Sequence, residues 1–67
     1  MNRYIKGKGI LVGTFSMADL DAGKDTEAVM AAEEETGLRY TNTELVRSKG
    51  NIVGLRVYVC TLDDMKI

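Results

Sequence analysis

Histidine, tryptophan and proline are absent from this 67-residue sequence, and cysteine occurs once, as Cys60. Without histidine no Ser/His/Asp set and no Cys–His nucleophile can form, and a zinc site loses its commonest ligands. A single cysteine excludes an internal disulfide. The apolar stretches are a few residues long, far short of the roughly 20 that span a bilayer. No basic n-region leads into an apolar h-region, and together with the lone cysteine this points to a reducing, cytoplasmic setting. Neither a Pro-rich or Ser-rich linker nor an internal repeat divides the chain, so a single domain over 1–67 is expected.

A chain this short buries only roughly 60% of the surface that its unfolded form exposes. Small folds compensate with disulfides, a metal or self-association. With the first two set aside, association is the device that remains.

What the chain does have is a segregation of charge. Residues 16–36 carry seven acids (Asp19, Asp21, Asp25, Glu27, Glu33, Glu34, Glu35) against Lys24 alone. The stretches 1–15 and 37–62 carry seven bases (Arg3, Lys6, Lys8, Arg39, Arg47, Lys49, Arg56) against Glu44 alone. A formal net charge of -1 thus conceals an acidic middle and basic flanks, a polarity that suggests a partner.

From Arg3 to Phe15 the residues alternate, which predicts one long strand. Tyr4, Lys6, Lys8, Ile10, Val12 and Thr14 would face one way, and Ile5, Gly7, Gly9, Leu11, Gly13 and Phe15 the other. Three glycines on one face leave room for a helix to cross closely. Ser16 followed by Asp19 has the form of a capping box, while Gly23 argues against one unbroken helix, leaving 16–24 open between helix and loop. Asp25 or Thr26 offers a second cap for a helix over 26–36, with Val29 and Ala32, and Met30 or Ala28 alongside, as its apolar side. Gly37 suits the left-handed position that ends it.

Leu38 to Lys49 and Ile52 to Leu62 read as strands joined through Lys49-Gly50-Asn51. In the last strand Val53, Leu55, Val57 and Val59 form an apolar floor for the helix. The order is β-α-β-β, an α+β fold whose right-handed crossover leaves a gap for the last strand. The expected sheet is three-stranded and antiparallel, in order 1-3-2, packed against one helix. Its other face would display Ile10, Val12, Arg56 and Tyr58 with Lys6, Lys8 and Tyr4, and no chain is left to cover it.

Several motifs invite catalytic readings that their context does not sustain. Gly7, Gly9 and Gly13 miss the dinucleotide spacing by one residue, and Ile10-Leu11-Val12 fills the interval with strand formers. Glu34-Glu35-Thr36-Gly37-Leu38 resembles the tail of the Nudix box, but Met30 and Ala31 replace its preceding Arg-Glu pair, and successive glutamates splay around a helix. Asp63-Asp64 reads as exposed charge and Cys60 as a small apolar strand residue. No metal, cofactor or catalytic set is expected.

The strand Gly9-Ile10-Leu11-Val12-Gly13-Thr14, the capping Ser16, the helix closed by Gly37, Tyr40, and Gly54-Leu55-Arg56-Val57-Tyr58 together resemble the dodecin-like group, meaning the flavin-storing dodecins and the stress-associated proteins of YhcN type. The resemblance implies an antiparallel 1-3-2 sheet partly wrapped around its helix, and oligomeric assembly. Dodecins stack flavin on a tryptophan that this chain lacks, so flavin binding does not carry over. Proteins of YhcN type are exported, and no signal peptide is read here.

These features predict a small non-enzymatic protein that self-associates through its open sheet face, using Ile10, Val12, Arg56 and Tyr58, with the acidic helix surface of Glu33, Glu34 and Glu35 near the basic strands of another copy. One alternative is single-stranded nucleic-acid binding, with bases stacked among Tyr4, Lys6, Lys8, Arg56 and Tyr58. A second is a small inhibitor, of the kind mobile elements encode, that blocks a host protein by surface contact.

Overall fold

The computed structural model describes residues 3–65. It is an α+β arrangement of β1 (Tyr4–Ile5), β2 (Gly9–Ser16), α1 (Met17–Asp21), α2 (Lys24–Thr36), β3 (Tyr40–Ser48) and β4 (Asn51–Cys60), closed by a 3-10 turn at Leu62–Asp64. The sheet has four strands in the order β1-β2-β4-β3, all neighbours antiparallel. The expectation of three strands in order 1-3-2 is therefore corrected. β4 does lie between β2 and β3, but a short β1 is added outside β2.

The extra strand arises because the predicted first strand is broken by a turn. Gly7 and Gly9 take φ values of 85° and 115°, open to glycine and costly for other residues. The Lys8 N–H donates to the Ile5 carbonyl at 2.9 Å, and the chain doubles back on itself. A Cβ on Gly9 would fall onto the Val59 carbonyl and the Cys60 Cβ. The neighbour that requires this glycine is thus β4 and not a crossing helix. Gly13 likewise has the Phe15 ring as its nearest neighbour.

A second irregularity decides which side chains share a face. Along β2, Leu11 pairs with Tyr58 and Gly13 with Val57, so Val12 is an extra, bulged residue. One inserted residue reverses the alternation of everything before it. Ile10 consequently sits opposite Val59 on the helix side, and Leu11 takes the place beside Tyr58 that was expected of Ile10. In β4 a matching slip, with Val46 opposite Gly54 and Arg47 opposite Ile52, leaves Val53 unpaired and 43% exposed. Val53 drops out of the apolar floor.

The helices follow their local chemistry. The Ser16 hydroxyl accepts from the Asp19 N–H at 3.1 Å and the Asp19 carboxylate accepts from the Ser16 N–H at 3.2 Å, so the capping box is complete. Gly23 at φ 74° serves as the N-cap of α2, which starts at Lys24; neither Asp25 nor Thr26 is the cap. A left-handed glycine takes the chain directly from one helix into the next, leaving no residue free to cap. Gly37 ends α2 in the left-handed conformation, its N–H donating to the Glu33 carbonyl at 2.8 Å. Ala28, Val29 and Ala32 are half-buried while Met30 is 64% exposed, so Met30 lies off the apolar side.

The helices pack over β2 and β4. Full burial is confined to Val57, Tyr58, Val59 and Cys60 among large or apolar side chains of the described residues. Lys49 and Gly50, at φ 52° and 82°, form a two-residue turn between β3 and β4, the primed geometry that matches strand twist.

The close approach of β2 and β4 generates a test. A Cβ on Gly54 would meet the backbone carbonyl of Phe15, whereas one on Gly13 meets only the movable Phe15 ring at 3.3 Å. Gly54→Ala is expected to destabilise the fold by about 2–3 kcal/mol, as overpacking against backbone does. Gly13→Ala should stay within about 1 kcal/mol of the parent, its contact offset by reduced unfolded-chain entropy. Urea unfolding of both variants measures this, and equal losses would contradict it.

Candidate interaction surface

The sheet face that carries Tyr58 is built around one carboxylate. Glu44 of β3 lies directly across from Arg56 of β4, which faces Thr14 of β2 on its other side. The Glu44 carboxylate receives Lys8 Nζ at 2.9 Å, Arg56 Nη1 at 3.3 Å and the Tyr58 hydroxyl at 2.8 Å. Lys8 also stands 6.0 Å from the centroid of the Tyr58 ring, at the limit of a cation–π contact. The turn at 6–8 is what brings Lys8 here, because it returns the chain over the sheet.

Electrostatics follow from this geometry. Hydrogen bonds from Lys8 and then from Tyr58 hold Glu44 down to about 2, below its ordinary 4.5. The hydrogen bond to Glu44 raises Lys8 above its usual range. Loss of solvent, followed by the bond to Glu44, raises the Tyr58 phenol, and burial alone raises the Cys60 thiol.

A second network closes the same face. Asp64 accepts from the Gly7 N–H at 2.9 Å, from the Tyr4 hydroxyl, and from Thr61 Oγ1 at 3.2 Å. The Thr61 N–H donates to the Tyr4 oxygen at 3.1 Å. Asn42, paired with Tyr58 across the strands, donates from Nδ2 to the carbonyls of Gly7, Lys8 and Asp64 at 3.5, 3.5 and 3.3 Å. The chain's own 6–8 turn and C-terminal turn thus lie across the face that was expected to stand open. Asp64, read from sequence as exposed charge, is the anchor of this clasp.

The predicted site residues are therefore divided. Arg56 and Tyr58 share a face with Lys8 and are bound to Glu44. Ile10 and the bulged Val12 instead line a groove of about 270 Å³ with Ala28, Ala31, Ala32, Glu35 and Thr36. Tyr4 belongs to the Asp64 clasp. Lys6 is exposed in the turn and outside the ion pairs of the described residues. Tyr58 is 3% exposed, so its ring offers no platform on which a base could stack.

The charge segregation persists after folding. Ion pairs among the described residues use only Lys8, Arg56, Lys24, Glu44 and Asp19. Arg39, Arg47 and Lys49 on one side, and Asp25, Glu27, Glu33, Glu34 and Glu35 on the other, remain outside them. Glu44 was the residue that sequence reading passed over. Its signal was its isolation, as the sole acid among seven bases in the flanking stretches. A scan against protein-family models, a search of curated proteins and a search of solved structures each return no match for this chain. No helix among the described residues is long and apolar enough to cross a membrane.

The Glu44 cluster predicts an acid-sensitive contribution to stability. Because the folded-state value lies below the unfolded one, the carboxylate stabilises above about pH 4.5 and this contribution is lost as pH falls toward about 2. Glu44→Gln should lower the urea midpoint at pH 7, with the gap to wild type narrowing between pH 4.5 and 2.5. A gap of constant size across that window would show that Glu44 acts through shape and not charge.

Proposed function

We propose that this chain is a small binding and assembly protein that works by contact with further copies of itself and not by catalysis. The observation that carries this reading is the unmatched charge left on the folded molecule, acidic along α2 and basic along β3 and its turn. Opposite surfaces on one chain that cannot meet each other intramolecularly can meet between molecules. The apolar surface left outside the core supports the same reading, since Leu45, Ile52, Val53 and Met17 are 51%, 46%, 43% and 52% exposed. The sequence resemblance to the dodecin-like group implies assembly as well.

Nucleic-acid binding finds less support, because Lys8 and Arg56 are engaged by Glu44 and Tyr58 is covered. Action as an inhibitor of a foreign protein would use the same exposed surfaces, and a chain that stays monomeric would favour it.

Native mass spectrometry and light scattering at low salt are expected to give one defined oligomer without bound mass. It should weaken by on the order of tenfold in affinity as salt rises past roughly 0.5 M, where the Debye length falls toward a few Å. Reversing Glu33, Glu34 and Glu35 to lysine should weaken it comparably. A monomer at every concentration, or an oligomer indifferent to both changes, would overturn the reading.

A further inference from the structure

The two edges of the sheet are unequal. At one side β1 contributes two residues and is tied down by the Tyr4–Asp64 contact. At the other, β3 runs for nine residues with its outer edge unpaired among the described residues. That edge is about 30 Å of free backbone donors and acceptors. Natural sheets guard such an edge with proline, a bulge or an outward charge. β3 contains no proline, and the bulge near its end belongs to β4, where Val53 is the extra residue. Its single carboxylate, Glu44, is drawn into its own sheet by Lys8 and Arg56, which leaves Arg47, near one end, as the only charge on the strand outside the ion pairs of the described residues.

We infer that β3 is the assembly interface and that its occupant is the β3 of a second copy, paired antiparallel about a two-fold axis centred on Leu45. This rests on the self-association proposed above and names its surface. Charge rules out the registers centred on Glu44 and Thr43, and the exposed side chain of Leu45 selects the one centred there. In a two-fold antiparallel pair lying in one continuous sheet, the residue on the axis faces its own copy and like charges directly opposite are destabilising. Centring on Glu44 sets carboxylate against carboxylate, and centring on Thr43 sets Arg39 against Arg47. Centring on Leu45 opposes no like charges. It places Arg47 of the second copy opposite Thr43 and Lys49 of the second copy opposite Thr41, and brings together two leucines that are each 51% exposed.

The same operation matches the free charges. α2 enters β3 through residues 37–39, so Glu33, Glu34 and Glu35 lie at the Tyr40–Thr41 end of the strand. The antiparallel partner delivers its Arg47 and Lys49 to that end. Each acidic helix terminus thereby receives the basic strand end of the other copy, twice per dimer.

Site-directed crosslinking of the full chain tests both the surface and the register. Leu45→Cys should be joined to its own copy by a short bis-maleimide at least about tenfold faster than Thr43→Cys or Thr41→Cys, whose self-facing distances are larger. Cys60 has 0% exposure, and the wild-type chain gives the background. Leu45→Lys, at a position already half in solvent, should fold with unchanged circular dichroism and run as a monomer. If wild type is oligomeric but Leu45→Lys stays so, the β3 interface is wrong while self-association stands, and if Thr43→Cys crosslinks as fast as Leu45→Cys, the register centred on Leu45 is wrong. If wild type is monomeric throughout, self-association itself fails and the interface with it.

Discussion

Four consecutive residues of β4, Val57, Tyr58, Val59 and Cys60, are the fully buried centre of this protein at 3%, 3%, 0% and 0% exposure. Consecutive strand residues point to opposite faces, so this centre is two-sided and both faces of one strand must be kept from water. A chain of 67 residues has one helical layer to offer, and α1 and α2 spend it on the Val57 and Val59 side. The Tyr58 and Cys60 side is covered by what remains, the 6–8 turn and the C-terminal turn. Much of the structure follows from that need. Asp64 and Asn42 tie the two turns together, and Lys8 is brought over Tyr58 to meet Glu44.

The elements with strong local causes were legible from sequence. The Ser16–Asp19 box and Gly37 mark helix ends because side-chain oxygens and left-handed glycine satisfy otherwise unpaired backbone groups. Period-two alternation around a glycine-containing turn marks the β3–β4 hairpin. The placement of β4 between β2 and β3 follows from crossover handedness and from its apolar character on both faces.

The face assignments of the first strand were not legible, for a physical reason. Alternation predicts faces only while the strand is regular, and here a turn at Gly7 and a bulge at Val12 reset it within six residues. The glycine between them answers to β4, whose Val59 carbonyl occupies the space that a side chain at Gly9 would need. A contact to a residue fifty positions away leaves no local trace. The same holds for Glu44, whose partners Lys8, Arg56 and Tyr58 arrive from two other segments. A single acid in a basic stretch marks it only as unusual, and only the pairing of strands says what it neutralises.

That neutralisation also explains why the rest of the charge stays apart. Glu44 takes two of the seven flanking bases and fixes them against the sheet, so one carboxylate offsets part of their charge and engages both. The acidic residues of α2 lie over β2 and β4, while Arg47 and Lys49 sit at the far end of β3, an edge strand outside the main helix contacts. In the topology that builds the two-sided core, the acidic helix and the basic strand end form no ion pair among the described residues. This topology leaves the mismatch beside the long β3 edge, where the antiparallel copy we propose would reverse the strand direction and bring opposite ends together. Charge separation and edge exposure are in this sense one consequence of threading β4 through the middle of so small a sheet.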